Sequence, residues 1–168
     1  MILEAGESAD EAKRLAELIG KHGKGVVTVG SRALLEAFFA MNGMDAKSAE
    51  IRAVICDLAV SGEEAVKEKL IDNVRMLPCK AETLLDFISG KGSVLDTLFA
   101  LERYCGISPE YDAAADGFKA FVLMLLVCGI TADRLSVDLA FSGNDEFPDR
   151  VFRFGNVSGG FKSAAENI

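Results

Sequence analysis

The chain has 168 residues, 50% of them apolar, and carries 18 Lys and Arg against 26 Asp and Glu, a formal net charge of −8. That apolar share excludes intrinsic disorder, and 16 glycines, 3 prolines and 4 cysteines exclude collagen-like and disulfide-scaffold chains. The acidic balance, with no basic run longer than Lys21, His22 and Lys24, argues against nucleic acid and anionic membrane surfaces as partners.

Ser8-Ala-Asp-Glu11 fits a capping box. Ala12, Leu15, Ala16 and Ile19 follow at helical spacing, so a helix is expected over 9–19 with Gly20 as its stop. Val26, Val27 and Val29 form a β-branched run around Thr28 that favours a strand. Gly30 and Ser31 turn out of it. Ser31 is placed to cap a helix over 32–41, whose Leu34/Phe38 and Leu35/Phe39 pairs mark the buried side. Residues 51–58 read as a buried strand, although Ile51, Val54, Ile55 and Leu58 also fit the helical period. Ser61-Gly-Glu-Glu64 predicts a second capping box and a helix to 71. A third short strand is expected over 74–77, stopped by Pro78, and then a helix over 80–88 ended by Gly90.

Ser93, with Asp96 three residues on, opens a helix to 105. Ser108 and Pro109 open another to 128, since proline at the first helical position lacks only an amide that would be unpaired anyway; Gly117 marks a bend point. Leu135, Val137, Leu139 and Phe141 alternate with smaller or polar residues, the period of a half-buried strand. A hairpin partner is expected over 151–154, with a loose tail over 156–168. The reading is one α/β domain over 1–155: a small, partly parallel mixed sheet covered by helices, with a helical pair and a C-terminal β-hairpin.

Two internal likenesses appear. Residues 57–62 match 138–143 at five of six positions, which suggests either a duplication or two similar strand ends. Cys105-Gly-Ile-Ser108 resembles Cys128-Gly-Ile-Thr131, and a glycine stop followed by a hydroxyl cap makes a helix-to-next-element corner.

The most apolar window, 120–130, is shorter than the ~20 residues of a bilayer span, and the first residues do not form a signal peptide. Cys56, Cys79, Cys105 and Cys128 lack a close pair and read as reduced thiols of a cytoplasmic protein, with Cys79, beside Lys80, the most activated. No metal site or cofactor is expected. Gly23-Lys-Gly25 and Gly90-Lys-Gly-Ser93 read as turns, since neither follows a strand. The acidic loop 144–149 lacks the alternate ligand spacing of an EF-hand and reads as solvated. His22, past a helix end, reads as structural.

The candidate site is an anion site at strand C-terminal ends. Gly30, Ser31 and Arg32 join a strand to a helix N-terminus, where free amides attract an anion and Arg32 adds a fork of donors. Asp57, near the end of a strand over 51–58, is placed as a base or metal ligand, with Ser61 and Gly62 beside it and Lys80 beyond the third strand. Each also has a plain reading: a capped helix, a hydrogen-bonded carboxylate, a solvated lysine. Two functions follow. One is a non-enzymatic regulatory or protein-binding module that self-associates, its apolar segment 118–128 in the core or at an interface. The other is an enzyme handling a small anionic or phosphate substrate at that rim.

Overall fold

The computed structural model describes residues 1–163. Its strands are β1 (Ile2–Glu4), β2 (Val27–Ser31), β3 (Leu135–Val137), β4 (Arg150–Phe154) and β5 (Val157–Lys162). They form one mixed sheet in the order β1-β5-β4-β2-β3, with β1/β5 and β2/β3 parallel and β2/β4 and β4/β5 antiparallel. The α/β class expected from the sequence is the one observed. The helices are α1 (Ser8–His22), α2 (Arg32–Met41), α3 (Ser48–Ile55), α4 (Leu58–Ser61), α5 (Glu63–Asp72), α6 (Pro78–Ile88), α7 (Val94–Ala100) and α8 (Pro109–Val127).

The period of two sorts each strand onto two faces. One face carries Val27, Val29, Phe152 and Phe161, all buried beneath the packed helices α1, α2 and α8. Phe121 of α8 meets the edge of Phe161, which meets Phe152, each pair with centroids 5.9 Å apart. Removing each such ring from water contributes about 1.5–3 kcal/mol. Phe38 of α2 stacks on Phe87 of α6 at 3.9 Å, which ties the helices α3 to α6 to the same core. The register places Ser136, Thr28, Arg153 and Ser158 in one polar row across the other face.

Local chemistry explains the helix starts that match expectation. Ser31 accepts from the Leu34 amide, Ser93 and Asp96 form a reciprocal capping box, and Ser108 accepts from the Tyr111 amide ahead of Pro109. Gly106 (φ 88°) and Gly129 (φ 100°) make equivalent left-handed corners after their cysteines.

Several expectations are overturned. Residues 51–58 are helical: α3, a break at Cys56 and Asp57, then α4. Ile51 and Ile55 are buried while Ala53 and Cys56 are exposed, so only one stripe meets the core, and a helix satisfies that pattern. Residues 74–77 are not a strand but the close of α5. The amides of Val74 and Met76 return to the carbonyls of Lys69 and Leu70 around Arg75 at φ 66°. The expected strand over 135–141 stops at Val137 and pairs in parallel with β2. The hairpin is instead β4 with β5, turning at Gly155 (φ 54°), so residues expected to be a loose tail form a paired strand; residues 164–168 lie outside the described residues. The first box does not form: Glu7 precedes α1 without a side-chain cap, Gly23 closes the helix, and Glu11 turns elsewhere. Gly62, not Ser61, precedes α5, with no side-chain cap. The two copies of the 57–62 likeness differ, one a helical turn and one a loop, and so are not a repeated unit.

Candidate ligand cleft

The polar sheet face opens into a cleft of about 930 Å³. Arg52, Ala53 and Cys56 of the α3 end form one wall, Asp138 and Phe141 of the segment after β3 form another, and Arg153 and Ser158 lie on the floor.

The segment after β3 is drawn onto the sheet by missing side chains. A Cβ on Gly30 would lie 2.0 Å from the Phe141 carbonyl oxygen, and one on Gly160 would lie 2.4 Å from the Phe147 ring. The Asp138 amide extends the β2 ladder by donating to the Val29 carbonyl at 3.0 Å. Its carboxylate Oδ1 accepts from the Ala140 amide at 3.0 Å, an Asx turn that reverses the chain. Phe141 is thereby held under the guanidinium of Arg153, 4.9 Å from ring centroid to Cζ. Among the described residues no carboxylate pairs with Arg153.

Charge holds the far end of the segment. Arg32 and Arg52 each place Nη1 on Asp145 Oδ1, at 3.0 and 3.1 Å. Their Nε atoms face Glu36 Oε1 at 3.8 and 3.2 Å, and Ser48 donates to the same oxygen at 2.6 Å. Hydrogen bonds from Arg52 and then Arg32, with the charge of both, hold the Asp145 carboxyl below the ordinary aspartate range. Ser31 donates to Asp149 Oδ1 at 2.5 Å, and the Arg32 amide donates to the Asp149 carbonyl at 3.1 Å. Burial, and then Asp57, push the Cys56 thiol up.

The residues singled out from the sequence do not gather. Gly30 is the point where the covering segment touches the sheet, not an anion turn. Ser31 caps α2 and tethers Asp149, and Arg32 reaches the rim of the cleft. Asp57 is exposed at the break between α3 and α4, and Ser61 and Gly62 are exposed before α5. Lys80, on α6, donates to the Asn42 carbonyl at 2.9 Å and closes the end of α2. Asp57, Ser61, Gly62 and Lys80 do not line the cleft. A common rim required three parallel strands, and two of them are absent. Cys79 sits exposed in the first turn of α6. Asp145, expected in a solvated loop, pairs with Arg32 and Arg52, and Arg52, Asp138 and Arg153 were not among the expected site residues. Arg153 had a signal, as the one charged residue inside the apolar run Val151, Phe152 and Phe154.

Among the described residues no helix is long and apolar enough to cross a membrane, and no group of three His, Cys, Asp or Glu side chains is placed to hold a metal ion. No family model and no curated protein matches the sequence. Solved structures do match. Histidyl-tRNA synthetase from Nostoc sp. PCC 7120 superposes with a TM-score of 0.77 at 20% identity over 90% of this chain. An ATP phosphoribosyltransferase regulatory subunit/histidyl-tRNA synthetase from Bacillus halodurans C superposes with a TM-score of 0.70 at 13% identity over 92%. This chain has their fold. It spans 37% and 42% of the length of those two chains.

Proposed function

We propose that this chain is a non-catalytic regulatory or protein-binding module that holds a small polar metabolite on the second face of its sheet. The observation that carries the reading is Arg153, stacked on Phe141 inside a cleft of about 930 Å³ that Asp138 also lines. Two cations, Arg52 and Arg153, and two anions, Asp138 and Asp145, in a recess floored by serine suit a zwitterion of amino-acid size. The thiol on the wall, Cys56, has its pKa raised by burial and by Asp57, the opposite of the shift that activates a nucleophilic cysteine.

The neighbours give the reading a direction. One carries the name of a regulatory subunit of ATP phosphoribosyltransferase, and both carry that of a histidyl-tRNA synthetase. Fold does not transmit activity, so this chain's partner enzyme is sought first among ATP phosphoribosyltransferases, and histidine leads the ligand panel. Leu123 and Val127 of α8 and Phe99 of α7 are exposed and supply apolar surface for a partner or a second copy.

Calorimetric titration with the free amino acids and common nucleotides tests the ligand. Binding of one of them, weakened about tenfold in Arg153→Gln, supports the reading, at about 1.4 kcal/mol per factor of ten. Silence across the panel sinks it. Light scattering, alone and with an ATP phosphoribosyltransferase catalytic subunit, tests the assembly; a monomer that ignores the enzyme counts against it.

A further inference from the structure

Two guanidinium groups converge on one carboxylate oxygen. The side chains of Arg32 and Arg52 are 18% and 13% exposed, whereas Asp145 is 83% exposed. The cations stand on helices, Arg32 at the first position of α2 and Arg52 within α3, and Glu36 and Ser48 brace them from below. Asp145 stands on a loop. A largely buried cationic notch is therefore filled by the charge of an exposed loop residue.

Charge counting shows what the notch holds without its plug. Two guanidiniums against Glu36 leave one positive charge, so removal of Asp145 uncovers a cation pair with one charge uncompensated, beside a helix N-terminus. A tethered carboxylate competes at an effective concentration on the order of millimolar, so a free carboxylate of equal charge displaces it poorly. A phosphomonoester carries about −1.5 to −2 at neutral pH and presents three acceptor oxygens, enough to meet both forks separately.

We infer that Arg32 and Arg52 form a phosphate-binding site that Asp145 occupies from within the chain, and that a phosphomonoester binds by displacing it and releasing the loop. This site lies at the rim of the cleft and does not depend on Arg153 or on what the cleft floor holds.

The test is calorimetric titration of the whole chain with inorganic phosphate, with acetate as the control anion. Asp145→Asn is expected to bind phosphate about tenfold tighter than the parent, because the internal competitor is gone. Arg52→Gln placed in the Asp145→Asn background removes that binding. Arg153→Gln leaves it unchanged, which separates this site from the metabolite reading. Asp145→Ser, equally exposed, repeats the gain if Asn perturbs the loop. In the parent chain, phosphate increases proteolytic cleavage within 142–149. The inference is overturned by equal phosphate affinity in parent and Asp145→Asn, by binding that survives loss of Arg52, by acetate binding as well as phosphate, or by no binding in any variant.

Discussion

Arg150 on β4 donates from Nε to Glu11 Oε1 on α1 at 2.5 Å, across a contact nearly closed to solvent. The other Glu11 oxygen accepts from the Gly6 amide at 3.0 Å, and the guanidinium lies over Phe121 at 5.7 Å. Glu11 is thus withdrawn from the capping box its sequence position suggests, because the charge on the sheet is the stronger partner. Arg150 Nη1 also lies 3.3 Å from the partly exposed Asp149 Oδ2, so Glu11→Gln leaves the cation one partner and is expected to cost less than the about 3–5 kcal/mol of a fully orphaned buried charge. The double replacement Glu11→Leu with Arg150→Met, which removes both charges, is expected to cost less. Urea unfolding of the three proteins decides it, and a single variant milder than the double one refutes the account.

The same substitution has opposite signs at two glycines. A Cβ at Gly30 meets the Phe141 carbonyl oxygen at 2.0 Å, backbone that cannot yield cheaply, so Gly30→Ala pushes the segment after β3 off the sheet. Overpacking of this kind costs about 1–3 kcal/mol. Gly20 lies within α1 with nothing within 4 Å of its added Cβ, so Gly20→Ala is expected to gain up to about 1 kcal/mol of helix propensity. Thermal melts of the pair report both signs, and Gly30→Ala also dislodges Phe141 from Arg153 in the cleft.

Leu125 separates core from surface on α8. It is 0% exposed, whereas Leu123 is 45% and Val127 77% exposed. Leu125→Glu therefore places a charge in the core and unfolds the chain, and it does not report on assembly. Leu123→Glu and Val127→Glu are expected to leave the melting temperature nearly unchanged, since surface substitutions fall within about 0.5 kcal/mol. If the protein self-associates through α8, these two variants shift its mass in light scattering without altering its fold.

Asp145 sets a pH dependence of known sign. Its carboxyl is held below the ordinary range by hydrogen bonds and charge from Arg52 and Arg32. A carboxyl whose folded pKa is depressed adds stability above its unfolded pKa, and that stability is lost as pH falls through the folded value. Carbon-detected NMR titration is expected to show Asp145 ionising below the ordinary aspartate range, and Arg52→Gln is expected to move it upward. An Asp145 titration that ignores Arg52 would falsify the ion-pair geometry.

Where a single local interaction decides, the sequence was legible. Ser31, Ser93 and Ser108 each cap the helix their neighbours imply, since the needed donor lies within three residues. Where partners are distant, it was not. Val157 to Lys162 includes two glycines that read as slack, yet Gly160 is where Phe147 packs and Gly159 is where Met1 crosses. The cleft was hidden for the same reason: Arg52 and Arg153 are 101 positions apart in numbering and line one cleft only after folding. Arg32 was found because a strand, a glycine and a serine precede it directly.

The stretch 51–58 was the point of greatest ambiguity, and Ala53 tests it. Its side chain is exposed on the outer face of α3, free of core packing, so its substitutions report backbone preference alone. In a helix Ala53→Gly costs about 0.8–1 kcal/mol and Ala53→Val a smaller amount, because branching at Cβ restricts the rotamer against the preceding turn. In a strand the order inverts, and valine is the stabilising choice. Urea midpoints for the two variants are expected to rank alanine above valine above glycine. Valine above alanine would return these residues to the sheet, and Arg52 would then no longer stand over Asp145.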